Sequence, residues 1–321
     1  MRTLVLGGTG LISTAITRRL LDRGDRVTLL NRGTGAPPFG DAVTTVHGDR
    51  ADVDALGAAW DAHGDGHDAV VDMLCYTPAD ARAAIEAFGG RTPHYVMCST
   101  VDVYTKPAHY LPVDERHERA PDPAFAYAHD KARSEEVLRA AGLPLTILRP
   151  AATYADHAVA SIGSFDLAVE RLIAGQPVIL HGDGTSRWAA GHRDDVARAF
   201  VAATARPAAG RAYNVTGAEV LTFEEYWRAV ADALGVEPHF VKIPVAVLGE
   251  LAPQAAFWCV HNFQYDNVFD CTAAARDLGF ASTVPWARGI AEGLRHRTPG
   301  PVDTSERATY DRIVAAWPAG R

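Results

Sequence analysis

The sequence predicts an α/β protein centred on a doubly wound parallel sheet, and three observations carry that prediction. The apolar run Arg2-Thr3-Leu4-Val5-Leu6 breaks directly into Gly7-Gly8-Thr9-Gly10, after which Leu11-Ile12-Ser13 opens a helical pattern reaching Leu20 and Leu21. Short apolar runs then recur at 26–30, 44–47, 69–73 and 94–98, separated by helical stretches. Strands alternating with helices at this spacing form right-handed βαβ units. Finally, Ala69-Val70-Val71-Asp72-Met73 is almost wholly apolar, as a strand covered on both faces must be.

The first element sets the function class. A glycine turn between strand and helix gathers backbone N–H groups at the positive end of a helix dipole, which holds a pyrophosphate without a cationic side chain. Gly7 makes the tight turn and Gly10 lets the backbone approach the phosphates, with Thr9, Leu11 and Ile12 completing the cradle. Ser13 replaces the third glycine of the dinucleotide fingerprint. The element is therefore read as Rossmann-like.

The second strand ends in Asn31-Arg32-Gly33. An acid here would bind a ribose 2′-hydroxyl, whereas an Arg accommodates a 2′-phosphate, so Asn31 and Arg32 favour NADP over NAD. After the third strand come Asp49 and Arg50. Asp49 has two compatible roles, a partner for the adenine amino group and an N-cap for a helix over 53–63.

Composition narrows the rest. A chain of 321 residues is long for one core, so a dinucleotide domain over 1–150, joined by a late strand near 212–216, is expected to carry a smaller C-terminal substrate domain over 151–321. The net charge of -8 opposes a nucleic-acid surface. No apolar run is long enough to span a bilayer, and an N-terminal core strand leaves no room for a signal peptide, so a cytoplasmic protein is expected. Cys75, Cys98, Cys259 and Cys271 lack paired spacing and read as reduced, and no cluster has metal-ligand spacing.

Ligands of such sheets sit beyond the carboxyl ends of the strands, which brings Leu74, Tyr76 and Thr100 to the crevice that holds the glycine turn. In Tyr127-Ala128-His129-Asp130-Lys131, the tyrosine and lysine lie four apart on a helix running to about residue 141 and share a face. The chain has three lysines and ten tyrosines, so this spacing would arise by chance roughly 0.1 times. A phenol is a poor base at neutral pH. The Lys131 ammonium and a cationic nicotinamide are expected to lower its pKa.

With the glycine turn, Ser99-Thr100, and Tyr127-x-x-x-Lys131 in this order, the sequence resembles the extended short-chain dehydrogenase/reductase family of NAD(P)-dependent epimerases and dehydratases. Leu148-Arg149-Pro150 with Tyr154, His181-Gly182-Asp183-Gly184 with Asp194-Asp195-Val196-Ala197, and Ala212-Tyr213-Asn214-Val215 are similar to later family motifs. The resemblance implies that Thr100 binds the substrate oxygen that Tyr127 deprotonates, while Lys131 binds the nicotinamide ribose. It implies transient oxidation of a sugar-like alcohol, possible nucleotide linkage of the substrate, and a homodimer. Net reduction with NADPH is the alternative chemistry. Asp102 stands two residues after Thr100, where family dehydratases carry an acid; it is read either as a proton-transfer group or as a cap of the turn.

Departures from the family concern the substrate. Ala152 replaces a frequent Asn, and Trp188 stands where a pyrophosphate-binding Arg is expected, with Arg187 beside it. Tyr76, Tyr154, Arg187 and His192 are the candidate substrate residues. Phe257-Trp258 is read as core of the second domain, with lining of the pocket as the alternative, and 36–38 and 297–299 as loops. Asn31-Arg32-Gly33 and Asp72-Met73-Leu74-Cys75 also resemble a plant plastid RNA-binding branch of the fold, which keeps a non-catalytic reading open.

Overall fold

The structure, a computed structural model, describes residues 1–33, 38–205 and 210–317; Ala36 and Pro37 of the first expected loop lie outside the described residues. The chain opens as β1 (Arg2–Leu6), α1 (Leu11–Asp22), β2 (Arg26–Asn31), β3 (Val43–His47), α2 (Val53–Asp61), β4 (Ala69–Asp72), α3 (Pro78–Phe88), β5 (Tyr95–Cys98), α4 (Ala126–Ala140) and β6 (Leu145–Pro150). It continues through α5 (Phe165–Ile173), β7 (Val178–His181), β8 (Arg187–Trp188), α6 (Arg193–Ala205), β9 (Arg211–Val215), β10 (Leu221–Thr222) and α7 (Phe223–Leu234). It closes with β11 (Phe240–Ile243), α8 (Val245–Leu251), α9 (Thr272–Leu278), α10 (Trp286–His296) and α11 (Thr304–Ala316).

Seven strands form one sheet in the order β3-β2-β1-β4-β5-β6-β9. Every pairing in it is parallel, from Arg2 opposite Arg26 to Pro150 opposite Val215. The strand order reverses between β1 and β4, and such a reversal leaves an open crevice at the carboxyl ends. Leu4, Val5 and Leu6 of β1 are fully buried, as are Val70 and Val71 of β4, because helices cover both faces.

Local chemistry fixes the helix starts that border the crevice. Thr77 and Asp80 form a reciprocal cap on α3, with Pro78 in its first turn. On α2 the cap is Asp52, which accepts from Asp54 N–H at 2.9 Å; the expected cap, Asp49, instead accepts from Ala51 N–H at 2.9 Å and lines the crevice. The extra turn expected after Asp61 is absent because the chain bends at Gly64 and Gly66, both at positive φ.

A second core gathers around Phe223, Tyr226, Trp227 and Trp286, where Tyr226 and Trp286 stack with centroids 3.8 Å apart. Two small sheets flank it, β7 parallel to β11 and β8 antiparallel to β10. Helices α6 and α9 leave that core: Val196, Phe200, Ala274 and Leu278 pack in one cluster with Ile16 and Leu20 of α1, on the large sheet.

Candidate active site

A groove of about 1040 Å³ opens at the strand reversal and extends between the large sheet and the second core. Gly7, Thr9, Gly10, Leu11 and Ile12 line one end, with Asn31, Arg32, Asp49, Arg50 and Leu74. Gly7 and Gly8 have φ of +108° and +93°, and a Cβ on Gly8 would stand 2.7 Å from Leu29 Cδ2. The turn therefore requires glycine twice, once for conformation and once for space as well. Ser13 Oγ accepts from Gly10 N–H at 2.8 Å, and no side chain caps the first turn of α1, which lines the groove. These features fit a dinucleotide. Arg32 is exposed with no ion-pair partner among the described residues, and Asn31 Nδ2 is buried without one. Arg50 is held by one end, its Nη2 buried against Asp72, whose carboxylate also takes the Tyr95 hydroxyl and, at 2.8 Å, Leu74 N–H, while its Nε and Nη1 have no partner among the described residues.

Thr100, Tyr127 and Lys131 meet at the middle of the groove. Thr100 ends the β5 connection and caps the short turn Val101–Val103, accepting from Asp102 N–H at 3.2 Å. Its hydroxyl donates to Asp102 Oδ2 at 3.1 Å. Lys131 Nζ donates to the Cys98 carbonyl at 2.8 Å and lies 4.4 Å from the centre of the Tyr76 ring. The cap reading of Asp102 is corrected: Thr100 is the cap, and the Asp102 carboxylate is its partner on the groove wall.

The protein groups around Tyr127 push its phenol upward, whereas the expected lowering also counts a cationic nicotinamide. Burial raises its pKa well above the ordinary value, the Asp102 carboxylate and Cys98 raise it further, and the Thr100 hydroxyl lowers it only in part. Lys131 does not reverse this because its ammonium is turned onto the Cys98 carbonyl and the Tyr76 face.

Sequence reasoning missed the polar network beneath these groups. Ser99 Oγ donates to Glu135 Oε1 at 2.6 Å, and Glu135 accepts from Arg149 Nε at 2.9 Å and Arg119 Nη1 at 2.8 Å. Arg149 Nη1 donates to the Tyr104 hydroxyl at 2.8 Å, which donates to Asn214 Oδ1 at 2.7 Å. Burial pushes Glu135 up, but Arg149, Ser99 and Arg119 outweigh it and bring its pKa to about 2. The network ties the end of β5, α4, β6 and β9 together under the reaction centre; Arg149 and Asn214 lie in the motifs quoted above, but their pairing with Glu135 and Tyr104 is made only by folding.

At the far end the groove is walled by Ala151, Ala152, Ala158, Ala160, Ala189 and Ala255, with Trp188, Trp258 and Phe263 above them. Of the four candidate substrate residues only Tyr76 lines it. Tyr154 is 1% exposed; its backbone pairs with Gly191 and Arg193, which turns the ring into the core 4.5 Å from Trp286. His192 packs on that ring at 5.2 Å and accepts from Asp194 N–H at 3.3 Å. Arg187 points outward to Asp266, with Nε 3.0 Å from Oδ2. Successive strand residues face opposite ways, so Trp188 takes the inward place. Trp258, expected in the core, is 39% exposed and stands 5.9 Å from the Tyr127 ring.

Comparison with known proteins agrees with this architecture. A family model described as the NAD dependent epimerase/dehydratase family matches residues 3–216. The chain is 29% identical over 280 residues to 2'-dehydrokanamycin reductase of Streptomyces kanamyceticus, covering 84% of this chain and 77% of that protein. It is 28% identical over 255 residues to the chloroplast stem-loop binding protein of 41 kDa b of Arabidopsis thaliana, covering 75% of this chain and 65% of that one. Among solved structures, UDP-glucose 4-epimerase from Bifidobacterium longum, in complex with NAD+ and UDP, superposes with a TM-score of 0.73 at 17% identity over 92% of this chain and 97% of that one.

Proposed function

The chain belongs to the NAD dependent epimerase/dehydratase family, and we propose that it uses NADPH to reduce a ketone on a sugar-like ring that carries no phosphate. The observation that carries this reading is the meeting of Thr100, Tyr127 and Lys131 in the groove that also holds the glycine turn; burial, which raises the Tyr127 pKa, agrees with a phenol that gives a proton. When bound, the nicotinamide supplies the hydride. Tyr127 gives its proton to the ketone oxygen as the carbonyl carbon becomes tetrahedral, which balances the added hydride and leaves an alcohol. The phenolate left behind is reprotonated from solvent, and Lys131, whose ammonium is held on the Cys98 carbonyl, lines the same stretch of the groove.

The substrate class follows from charge. Arg32, Arg50 and Lys131 are the cations lining the groove among the described residues, and none is at the alanine-rich end. A diphosphate placed there would meet polar groups such as Ser161, Ser164 and Asn262 but no side-chain cation. The similarity to 2'-dehydrokanamycin reductase supports the same choice. Arg32, free at the end of β2, supports NADP over NAD.

A second reading, transient oxidation followed by epimerisation or loss of water, is favoured by the Asp102 carboxylate on the groove wall beside Thr100. Absorbance at 340 nm separates the two. Stoichiometric NADPH consumption with a phosphate-free keto sugar such as 2'-dehydrokanamycin is expected, with Arg32→Ala weakening NADPH binding about tenfold and NADH binding hardly at all. Turnover of dTDP-glucose with the cofactor retained and unchanged would replace the first reading by the second. Nucleic-acid binding rests on the likeness to the stem-loop binding protein and is opposed by the net charge of -8.

A further inference from the structure

Lys106 is one of three lysines in the chain, and its side chain is 11% exposed. Its ammonium donates to Asp102 Oδ1 at 3.4 Å, to Asn267 Oδ1 at 2.6 Å and to Asn262 Oδ1. An ammonium has three donors, and here each has one acceptor. Lys106 itself does not line the groove, but Asp102, Asn262 and Asn267 all do. Burying an unpaired ammonium costs several kcal/mol, so the arrangement is sustained only by these three contacts. Burial pulls the Lys106 pKa down, while Asp102 raises it again.

Asp102 is divided. Its Oδ1 faces Lys106, and its Oδ2 accepts the Thr100 hydroxyl proton at 3.1 Å. With that proton given to Asp102, Thr100 offers the reaction centre its lone pairs, and Tyr127 is the neighbouring group with a proton to give. We infer that Lys106 is a positioning residue of the site: it holds the Asp102 carboxylate between itself and Thr100, and thereby sets the direction in which the Thr100 hydroxyl points beside Tyr127. The same ammonium binds the loop after β5 to the segment holding Asn262, Phe263 and Asn267, the far wall of the groove. The inference rests on the reading of Thr100 and Tyr127 as the reaction centre.

The test uses the full chain without cofactor or substrate, so its outcome is independent of which reduction or elimination the protein performs. In protein labelled at tyrosine 13Cζ, with the Tyr127 signal identified by its loss in Tyr127→Phe, Lys106→Met and Asp102→Asn are each expected to shift that signal. Adding Lys106→Met to Asp102→Asn is expected to shift it no further. A Tyr127 signal unmoved by Lys106→Met while the melting temperature falls would reduce Lys106 to a structural pin and overturn the inference. So would a shift of equal size in the Asp102→Asn background. If Lys106→Met does not fold, the question passes to Thr100→Val and the three lysine 15Nζ signals, assigned by Lys131→Met and Lys242→Met. A shifted Lys106 signal supports continuity from Lys106 through Asp102 to Thr100, and an unshifted one overturns it.

Discussion

The two ends of the groove are built by different means. The cofactor end comes from consecutive strand ends of one parallel sheet, so the groups that line it are set by position along β1, β2, β3 and β4. The other end is assembled from segments near 151–165, 188–189 and 255–267, which come together only because a second core of stacked aromatic rings draws them in. One end presents the glycine turn and cations, the other small side chains, two indoles and uncharged polar groups. A single groove thus offers a charged seat for a dinucleotide and a seat without cations for what it reacts with.

Tyr127→Phe is the widest separation of the two. It is expected to lower turnover by at least about a thousandfold, or roughly 4 kcal/mol, while NADPH affinity measured by fluorescence changes less than about threefold. Equal loss of both would mean that the phenol belongs to the cofactor end.

Acid tests the two cores rather than the two seats. Burial, against smaller opposing contributions, pulls His67 on the sheet side and His181 beside the second core down to about 4. Both are depressed below an unfolded value near 6.5, so the unfolded chain binds more protons between those pH values. Their contribution is present above pH 6.5 and is lost as pH falls toward 4, on the order of 3 kcal/mol for each. Melting temperature should therefore drop between pH 6.5 and 4, and His181→Gln should flatten about half of that drop. An unchanged slope would place the acid sensitivity in the sheet core alone.

The finest comparison is within the second region. Trp258→Ala should raise KM for the keto sugar about tenfold with kcat within threefold, because it removes an exposed ring beside Tyr127. Arg187→Ala should leave both constants within about twofold, since its guanidinium faces Asp266 on the outer surface. A large effect at Arg187 would show that β8 turns over on binding.

The sequence by itself determined the parallel sheet, the glycine turn and the Thr100, Tyr127, Lys131 set, because each depends on spacing along one or two elements. It also placed Asn31, Arg32 and Asp49 at the strand ends that face the groove. The fate of Tyr154, His192 and Arg187 was decided by tertiary structure. A side chain with the right chemistry can turn into a core or out to solvent, and which occurs depends on partners such as Trp286 and Asp266 far along the chain. The upward push on the Tyr127 pKa likewise comes from burial and the neighbouring Asp102, which only folding supplies. Lys106 shows the limit most directly: its acceptors Asn262 and Asn267 lie more than 150 positions on, and only folding brings three oxygens to one buried ammonium.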